Sequence, residues 1–403
     1  MGRVKEQWMQ ELEQGYSSID ATVCSECVND TDIKEFILKT GTKDTCSYCK
    51  TESIAIDFDS FMEKFIGCIR TEYGDPNNEG MPWEGGWVHE EDVLDGYDIV
   101  NKYLETDSTE LLGDVCSSIG DNQWCKVNYY GSTPHEILSS GWERFANTIK
   151  HRSRYTFYRN FDEEVEQFDP DGIPTQTFLD ELSKLFNANS MYAVLRKGDI
   201  VFRVRSHRKA ELFTKSSQLG TAPIVNARFS NRMSPAGIPM FYCSTDASTA
   251  IKEVYDNKTG AITIAKFELL KDLNVIDLTK APMCPGIFSG HSRAHRQSIQ
   301  FLNDFVLDFS KPVEKSFTEN IEYIPTQVIT EHLKFQHKIA HTIRVDGVKY
   351  FSAKENATTS IVLFVDNKQC IDESDLISEP AIVKLIESER VLTKAKITKR
   401  ITP

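Results

Sequence analysis

Residues 231–254, NRMSPAGIPMFYCSTDASTAIKEV, combine a turn, a short apolar strand and a helical segment. Arg232 precedes the turn, Tyr242 lies near the end of the strand predicted at 238–243, and Glu253 is expected in the first turns of the helical segment. One cation, one aromatic ring and one carboxylate are thus placed close together in the chain. This set suits a ligand that contains a phosphate, an aromatic ring and a sugar.

The composition is that of a globular protein with two domains. The chain has 403 residues, of which 40% are hydrophobic and 26% charged, and this length exceeds what one ordinary core accommodates. No run of about 18 apolar residues is present, so no transmembrane helix is expected. The polar start, MGRVKEQWMQELEQGYSS, lacks the apolar segment of a secretory signal. We therefore expect a cytoplasmic protein without a membrane partner.

The net charge of −14 argues against broad binding of nucleic acid, because a phosphate backbone requires a basic surface. An anionic small ligand must instead be bound by a few focused cations. Arg232 is one candidate, and Arg228, four residues earlier, is an alternative for the same phosphate role.

Two cysteine pairs indicate a metal site in the N-terminal part. Cys24 and Cys27, and Cys46 and Cys49, form two C-x2-C motifs with 18 residues between them. Each motif directs two sulfurs at one metal, and two motifs complete the tetrahedral shell of a structural zinc. Because all four ligands are thiolates, no position is left for the water of a catalytic zinc. The alternative is four free or disulfide-linked thiols.

Hydrophobic periodicity divides the chain into three regions. Residues 1–190 are mainly helical and contain the zinc knuckle; residues 191–370 have short strands typical of an α+β domain; residues 371–403 are expected to form a helix and a basic tail. The predicted helices are 58–73, 92–103, 110–119, 133–151, 175–187 and 327–335. The predicted strands are 200–205, 238–243, 261–269, 273–278, 348–351 and 361–364.

Several common sites are excluded by the absence of their motifs. The chain has no G-x-G-x-x-G after a strand and no G-x-x-x-x-G-K-[ST], which argues against a Rossmann site and a P-loop. It also lacks G-x-S-x-G and H-E-x-x-H, the motifs of α/β-hydrolases and zincins. A nucleotide would therefore be bound by another architecture.

The order of the C-terminal blocks resembles the RES domain family, which is named for its Arg, Glu and Ser. The blocks are a strand-borne Arg203, then NRMSPAGIPMFY, TAIKE, AKFELLKDLNVIDLT, YIPTQ, DGVKYFS and IVLF, within residues 195–366. The paired cysteines ahead of them resemble the HEPN/RES N-terminal domain that is fused to RES domains. The resemblance implies a fold of mixed short strands that is ADP-ribosyltransferase-like.

The resemblance also implies an activity and a set of residues. RES proteins are typically toxins of toxin–antitoxin pairs, and they destroy NAD+ by phosphorolysis or hydrolysis of the nicotinamide–ribose bond. The family's two arginines correspond to Arg203 and Arg232, its aromatic residue to Tyr242, its glutamate to Glu253 and its serine to Ser352. Glu253, Ser352 and Arg232 are then expected to be catalytic, and Arg203, Arg232 and Tyr242 to bind NAD+. Inorganic phosphate, an antitoxin and a trigger protein are the further partners to consider.

Two alternatives remain at this stage. A protein ADP-ribosyltransferase of related fold would transfer ADP-ribose to a side chain instead of to water or phosphate. A non-catalytic, zinc-containing binding module would have lost the active residues, which the presence of all five family residues argues against.

Overall fold

The computed structural model describes residues 13–159, 172–255, 260–311, 319–352, 358–375 and 380–392, together with residues 9 and 11. The chain forms two compact units. The first comprises Met1–Pro134 and Cys284–Gln297, and the second comprises His135–Met283 and Ser298–Pro403. Within the described residues, no helix has both the length and the apolar character needed to cross a membrane.

The first unit is mainly helical, with a small antiparallel sheet in the order β1-β3-β2. Its helices are α1 (Thr31–Thr40), α2 (Phe58–Ile69), α3 (Gly96–Tyr103) and α4 (Thr109–Ile119), and its strands are β1 (Thr22–Cys24), β2 (Thr42–Thr45), β3 (Glu52–Asp57), β4 (Tyr73–Gly74) and β5 (Cys125–Lys126).

Aspartate caps determine where the first two helices begin. The Asp30 carboxylate accepts hydrogen bonds from the backbone N–H groups of Asp32 and Ile33 at the start of α1. Asp57 accepts one from the N–H of Ser60 at the start of α2. These acceptors satisfy N–H groups that have no partner within the helix.

Aromatic side chains form the core of the first unit. Phe58, Phe61 and Phe65 of α2 are fully buried, as expected from their helical spacing. Phe288, from the separate segment 284–297, stacks on Phe65 with ring centroids 5.4 Å apart. This segment is therefore part of the hydrophobic core of the unit.

The second unit contains seven helices and eleven strands in its described residues. The helices are α5 (Pro134–His151), α6 (Phe178–Ala188), α7 (Ser216–Leu219), α8 (Ala247–Val254), α9 (Arg293–Ser310, in this unit from Ser298), α10 (Glu319–Glu322) and α11 (Ile324–Phe335). The strands are β6 (Tyr192–Leu195), β7 (Ile200–His207), β8 (Phe241–Ser244), β9 (Ala261–Leu269), β10 (Leu273–Asp277), β11 (Lys338–Ile339), β12 (Ile343–Arg344), β13 (Gly347–Phe351), β14 (Thr359–Leu363), β15 (Cys370–Asp372) and β16 (Val383–Val391).

Nine of these described strands form one mixed sheet in the order β15-β16-β9-β7-β8-β14-β13-β10-β6. Neighbouring strands are antiparallel, except for the parallel pairs β10–β13 and β15–β16. The helices and the mixed sheet confirm the predicted α+β class. Strands β7, β8 and β14 lie at the middle of the sheet, and β7 pairs with β8 only at Phe202 and Ser244.

Side chains alternate between the two faces of the sheet, so each central strand contributes to two apolar clusters. In β8, Phe241 and Cys243 belong to one cluster, whereas Tyr242 packs against the other. That second cluster also contains Phe145 of α5 and Phe178 of α6.

Two features differ from the sequence-based expectation. The sequence pattern places residues 135–190 in the N-terminal domain, but α5 and α6 bury their apolar faces in the core of the second unit, which also contains Phe305 of α9. The helix expected in residues 371–403 is instead strand β16, which pairs with β9 along its length. The pairing shifts register between Leu385 and Glu387, so the strand lacks the uninterrupted alternation by which a sequence indicates a strand. The basic tail from residue 393 lies outside the described residues.

Candidate functional site

A cavity of about 610 Å³ lies beside the central strands of the second unit. Its volume is within the range of roughly 300–1,000 Å³ that is usual for small-molecule sites. Strands β7, β8 and β14, helix α8 and residues 222–235 supply most of its wall. Four predicted site residues line it: Arg203, Arg232, Tyr242 and Glu253.

Glu253 is placed at the cavity by a short capped helix. At the start of α8, the Asp246 side chain accepts a hydrogen bond from the backbone N–H of Thr249. Glu253 lies in the last turn of this helix, not in its first turns as expected from the sequence. Its Oε1 atom accepts a hydrogen bond from Ser352 Oγ at 2.5 Å and another from Ser360 Oγ at 3.0 Å.

Both serines are buried, with 3% of Ser352 and 4% of Ser360 exposed. Ser352 follows β13 and contacts the cavity residue Glu253, whereas Ser360 belongs to β14 and lines the cavity itself. Ser360 is not among the residues predicted from the sequence. The available signal was a hydroxyl at the start of an apolar strand, which is common in strands that have no functional role.

Arg203 lies on β7 and contacts β8. Its Nη1 atom donates a hydrogen bond to the Tyr242 carbonyl oxygen at 2.7 Å, and its guanidinium lies 5.1 Å from the centre of the Phe241 ring. Burial lowers the pKa of Arg203. The guanidinium stays charged, because the ordinary pKa of arginine is far above neutral. Arg203 therefore stabilises the strand that carries Tyr242, and Arg203 also lines the cavity.

Tyr242 connects the strand to the turn that contains Arg232. Its hydroxyl accepts a hydrogen bond from the backbone N–H of Met233 at 3.2 Å and lies 3.0 Å from Ser234 Oγ. Burial raises the pKa of Tyr242, so the phenol is neutral at physiological pH. The hydroxyl thus fixes the residues immediately after Arg232.

Arg232 is held by contacts on both its backbone and its side chain. Its Nη1 atom donates to the Phe309 carbonyl at 2.7 Å, and its guanidinium lies 5.8 Å from the centre of the Tyr323 ring. Its own carbonyl accepts a hydrogen bond from Thr326 Oγ1. Arg228, the alternative phosphate ligand, lines the same cavity and is exposed.

These residues together could bind and polarise an anionic sugar nucleotide. Arginines provide fork-shaped donors that match phosphate oxygens. The carboxylate of Glu253 can accept hydrogen bonds from ribose hydroxyls and stabilise positive charge that develops on the sugar. The two serine donors hold that carboxylate in place.

A second group of reactive side chains lies in the first unit. Cys24, Cys27, Cys46 and Cys49 place their sulfur atoms within 4.8 Å of one another. The second C-x2-C motif lies in the connection between β2 and β3, where Lys50 has a positive φ of 59° and closes the turn. All ten cysteines are free thiols, so the disulfide alternative is not observed.

The geometry of these four cysteines fits a tetrahedral metal ion. The Sγ atom of Cys24 is 3.7 Å from that of Cys27 and 3.6 Å from that of Cys49, and Cys27 and Cys46 are 3.7 Å apart. Four sulfurs at about 2.3 Å from one zinc would be about 3.8 Å from each other. The four cysteines could therefore hold a metal ion.

Comparison with protein families matches both parts of the chain. Residues 39–163 match the family model for HEPN/RES N-terminal domain 1, and residues 200–382 match the model for the RES domain. The second match contains all five predicted site residues. No curated protein and no solved structure gave a significant match.

Proposed function

The chain joins a HEPN/RES N-terminal domain to a RES domain, and we propose that it is a toxin or defence enzyme that consumes NAD+. The RES domain is generally associated with enzymes that act on NAD. The observation that carries the proposal is the contact between Glu253 and two buried serines, at a cavity also lined by Arg203 and Arg232.

The proposed reaction breaks the bond between nicotinamide and ribose. Nicotinamide leaves as a neutral molecule and takes the bonding electron pair, so the ribose passes through a cationic, oxocarbenium-like transition state. No general acid is needed for such a leaving group. Glu253 stabilises the cationic sugar, and this interaction is stronger in the transition state than in bound NAD+, which is the requirement for catalysis.

The arginines bind the diphosphate in this proposal. A guanidinium carries five N–H donors, so the bond from Arg232 to the Phe309 carbonyl is compatible with a further bond to phosphate. Arg203 adds positive charge to the cavity wall and fixes β8 through the Tyr242 carbonyl. Ser352 orients Glu253, because its single O–H is donated to that carboxylate.

The acceptor of the ribose is either water or inorganic phosphate. Attack by water on the sugar carbon gives ADP-ribose, and attack by phosphate gives the corresponding 1-phosphate. A protein acceptor would make the chain an ADP-ribosyltransferase, and no described contact favours that reading over the other two.

We also propose that Cys24, Cys27, Cys46 and Cys49 bind one structural zinc. As thiolates, the four cysteines would fill the coordination shell of the zinc. They would link the end of β1 and the turn after it to the loop before β3. A zinc site of this kind contributes directly to folding of the unit. It requires reduced thiols, which accords with a cytoplasmic protein, where an antitoxin or trigger protein could control the enzyme.

A nicotinamide-release assay tests the proposed function. The full-length protein is incubated with NAD+ in the presence and absence of inorganic phosphate, and nicotinamide is measured by chromatography. We expect release in at least one condition, and the sugar product identifies the acceptor. No release in either condition would contradict the proposal, and radiolabel transferred from NAD+ to protein would favour the ADP-ribosyltransferase alternative.

A further inference from the structure

Phe229 is an exposed aromatic residue in the wall of the cavity. With 83% of its surface exposed, it is the most accessible of the five aromatic residues among the described cavity-lining set. The other four are Phe202, Tyr242, Tyr323 and Tyr350. Single exposed apolar side chains are common on protein surfaces, so it is the position of Phe229 in the cavity wall that makes its ring available to a ligand.

The other aromatic residues are already engaged. Tyr350 is buried, and the Tyr242 hydroxyl is bonded to the turn after Arg232. Tyr323 packs under the Arg232 guanidinium. Phe202 is partly buried in an apolar cluster beside α8. Phe229 is thus the ring in this wall that offers the largest open face to a ligand.

The segment that carries Phe229 is anchored on both sides. On its N-terminal side a 3-10 turn, Ile224–Asn226, is closed by a hydrogen bond from the Ala227 N–H to the Ile224 carbonyl at 3.0 Å. The Ala227 carbonyl then accepts from the Gly237 N–H at 2.7 Å. On the C-terminal side, Gln327 Nε2 donates to the Asn231 carbonyl at 2.8 Å.

We propose that Phe229 forms the adenine subsite of the cavity by stacking on the purine ring. This inference rests on the proposed use of NAD+. If Glu253 holds the nicotinamide-bearing ribose and Arg232 the diphosphate, adenine is the part of NAD+ that still lacks a partner. Stacking on an aromatic side chain is the usual way in which a protein binds a base without forming hydrogen bonds to the edge of that base. Phe229 then makes the enzyme prefer a dinucleotide to a mononucleotide.

The test compares NAD+ with nicotinamide mononucleotide, which has the same scissile bond but no adenosine. In the full-length protein, Phe229→Ala is expected to lower kcat/KM for NAD+ by about 5- to 150-fold, the range that corresponds to loss of one stacked base. The value for the mononucleotide should stay within about twofold of wild type. Phe229→Trp keeps a stacking face and should retain activity on NAD+.

Val225→Ala is a matched control, because Val225 is 78% exposed in the adjacent turn but does not line the cavity. It should leave both substrates unaffected. Equal losses of activity on NAD+ and the mononucleotide in Phe229→Ala would overturn the adenine subsite. Unchanged activity on NAD+ in Phe229→Ala would also overturn it.

A binding measurement separates this inference from the proposed reaction. ADP-ribose contains the adenine and the diphosphate but no nicotinamide bond, so calorimetry with ADP-ribose tests the subsite even if the wild-type protein cleaves nothing. Weaker binding by Phe229→Ala, by the same range of about 5- to 150-fold, would support the adenine subsite. Equal binding by wild type and variant, or no binding by either, would contradict it.

Discussion

Ser360 Oγ lies 3.0 Å from Glu253 Oε1, although the two residues are 107 positions apart in the chain. The contact joins the last turn of α8 to the central strand β14. The oxygen that accepts this bond is also the acceptor for Ser352. A carboxylate held by two donors at a cavity wall is pre-oriented for a ligand, and it does not have to reorganise during a reaction.

Replacement of Glu253 by glutamine should reduce nicotinamide release by about 100-fold or more. The change removes the negative charge that stabilises the cationic sugar, and loss of one preorganised group of this kind costs about 3 kcal/mol. The initial rate at saturating NAD+ measures the effect. Glu387→Gln, on an exposed position of β16, is the control and should behave as wild type. If Glu253→Gln retained most of the activity, the charge of Glu253 would not be required for the reaction.

Replacement of Ser360 by alanine should lower kcat by about 10- to 100-fold and leave KM nearly unchanged. A hydrogen bond to a charged group contributes about 1.5–3 kcal/mol, and here it acts through the position of Glu253. Ser360→Thr keeps the hydroxyl and should recover part of the activity. In a Glu253→Gln background, Ser360→Ala should add little further loss. Independent, additive losses would show that Ser360 does not act through Glu253.

Replacement of Tyr242 by phenylalanine should raise KM for NAD+ and lower stability by about 1 kcal/mol. The variant removes the hydroxyl that bonds Met233 N and Ser234 Oγ, so the turn after Arg232 loses its attachment to β8. Steady-state kinetics and thermal unfolding measure the two effects. Tyr130→Phe, at an exposed tyrosine, is the control. An unchanged KM would indicate that the turn is held without Tyr242.

The purified protein should contain one zinc per chain, measured by atomic emission. Cys46→Ser should abolish that zinc and lower the unfolding temperature of the first unit, because binding of a structural zinc contributes directly to folding free energy. Cys284→Ser is the matched control, since Cys284 belongs to the same unit but lies outside the four-cysteine cluster. A full zinc content in Cys46→Ser, or no zinc in the wild type, would contradict a four-thiolate site.

Stability of the second unit should fall as the pH drops from about 6.5 towards 4. Burial lowers the pKa of His337 to about 4, so the folded state holds a neutral ring where the unfolded chain takes up a proton. Protonation therefore favours unfolding in this window, by about 1–2 kcal/mol after allowance for solvent screening. Urea unfolding at pH 7.5 and pH 5 measures the difference. His337→Gln should reduce it, and His151→Gln, at an exposed position of the same unit, should not. An equal pH dependence in His337→Gln would refute the assignment.

Local patterns predicted much of the fold because they depend on nearby residues. The strand predicted at 261–269 matches Ala261–Leu269, and the helix predicted at 110–119 matches Thr109–Ile119 within one residue. The two C-x2-C motifs predicted a cluster of four sulfurs, which the structure contains. Side-chain caps and apolar periodicity are sufficient signals for such elements.

Long-range pairing could not be predicted in the same way. Strand β16 gains its conformation from pairing with β9, more than a hundred residues earlier, and this tertiary contact overrides a helix-like sequence. The role of Ser360 likewise depends on α8 reaching β14. The family resemblance predicted that Glu253 and Ser352 belong to one site, but it gave no indication that Ser360 shares the carboxylate oxygen that Ser352 contacts.

Segment 284–297 has a consequence for any attempt to dissect the protein. It lies inside the RES match at 200–382, yet Phe288 packs on Phe65 and Arg293 forms an ion pair with Glu72 at 2.9 Å in the first unit. A fragment that begins after the N-terminal domain would therefore keep this segment and lose its packing partners. Low activity in such a fragment would therefore report the loss of this packing rather than the loss of a regulator. The boundary between the two family matches in the sequence is therefore not the boundary between the two packed units.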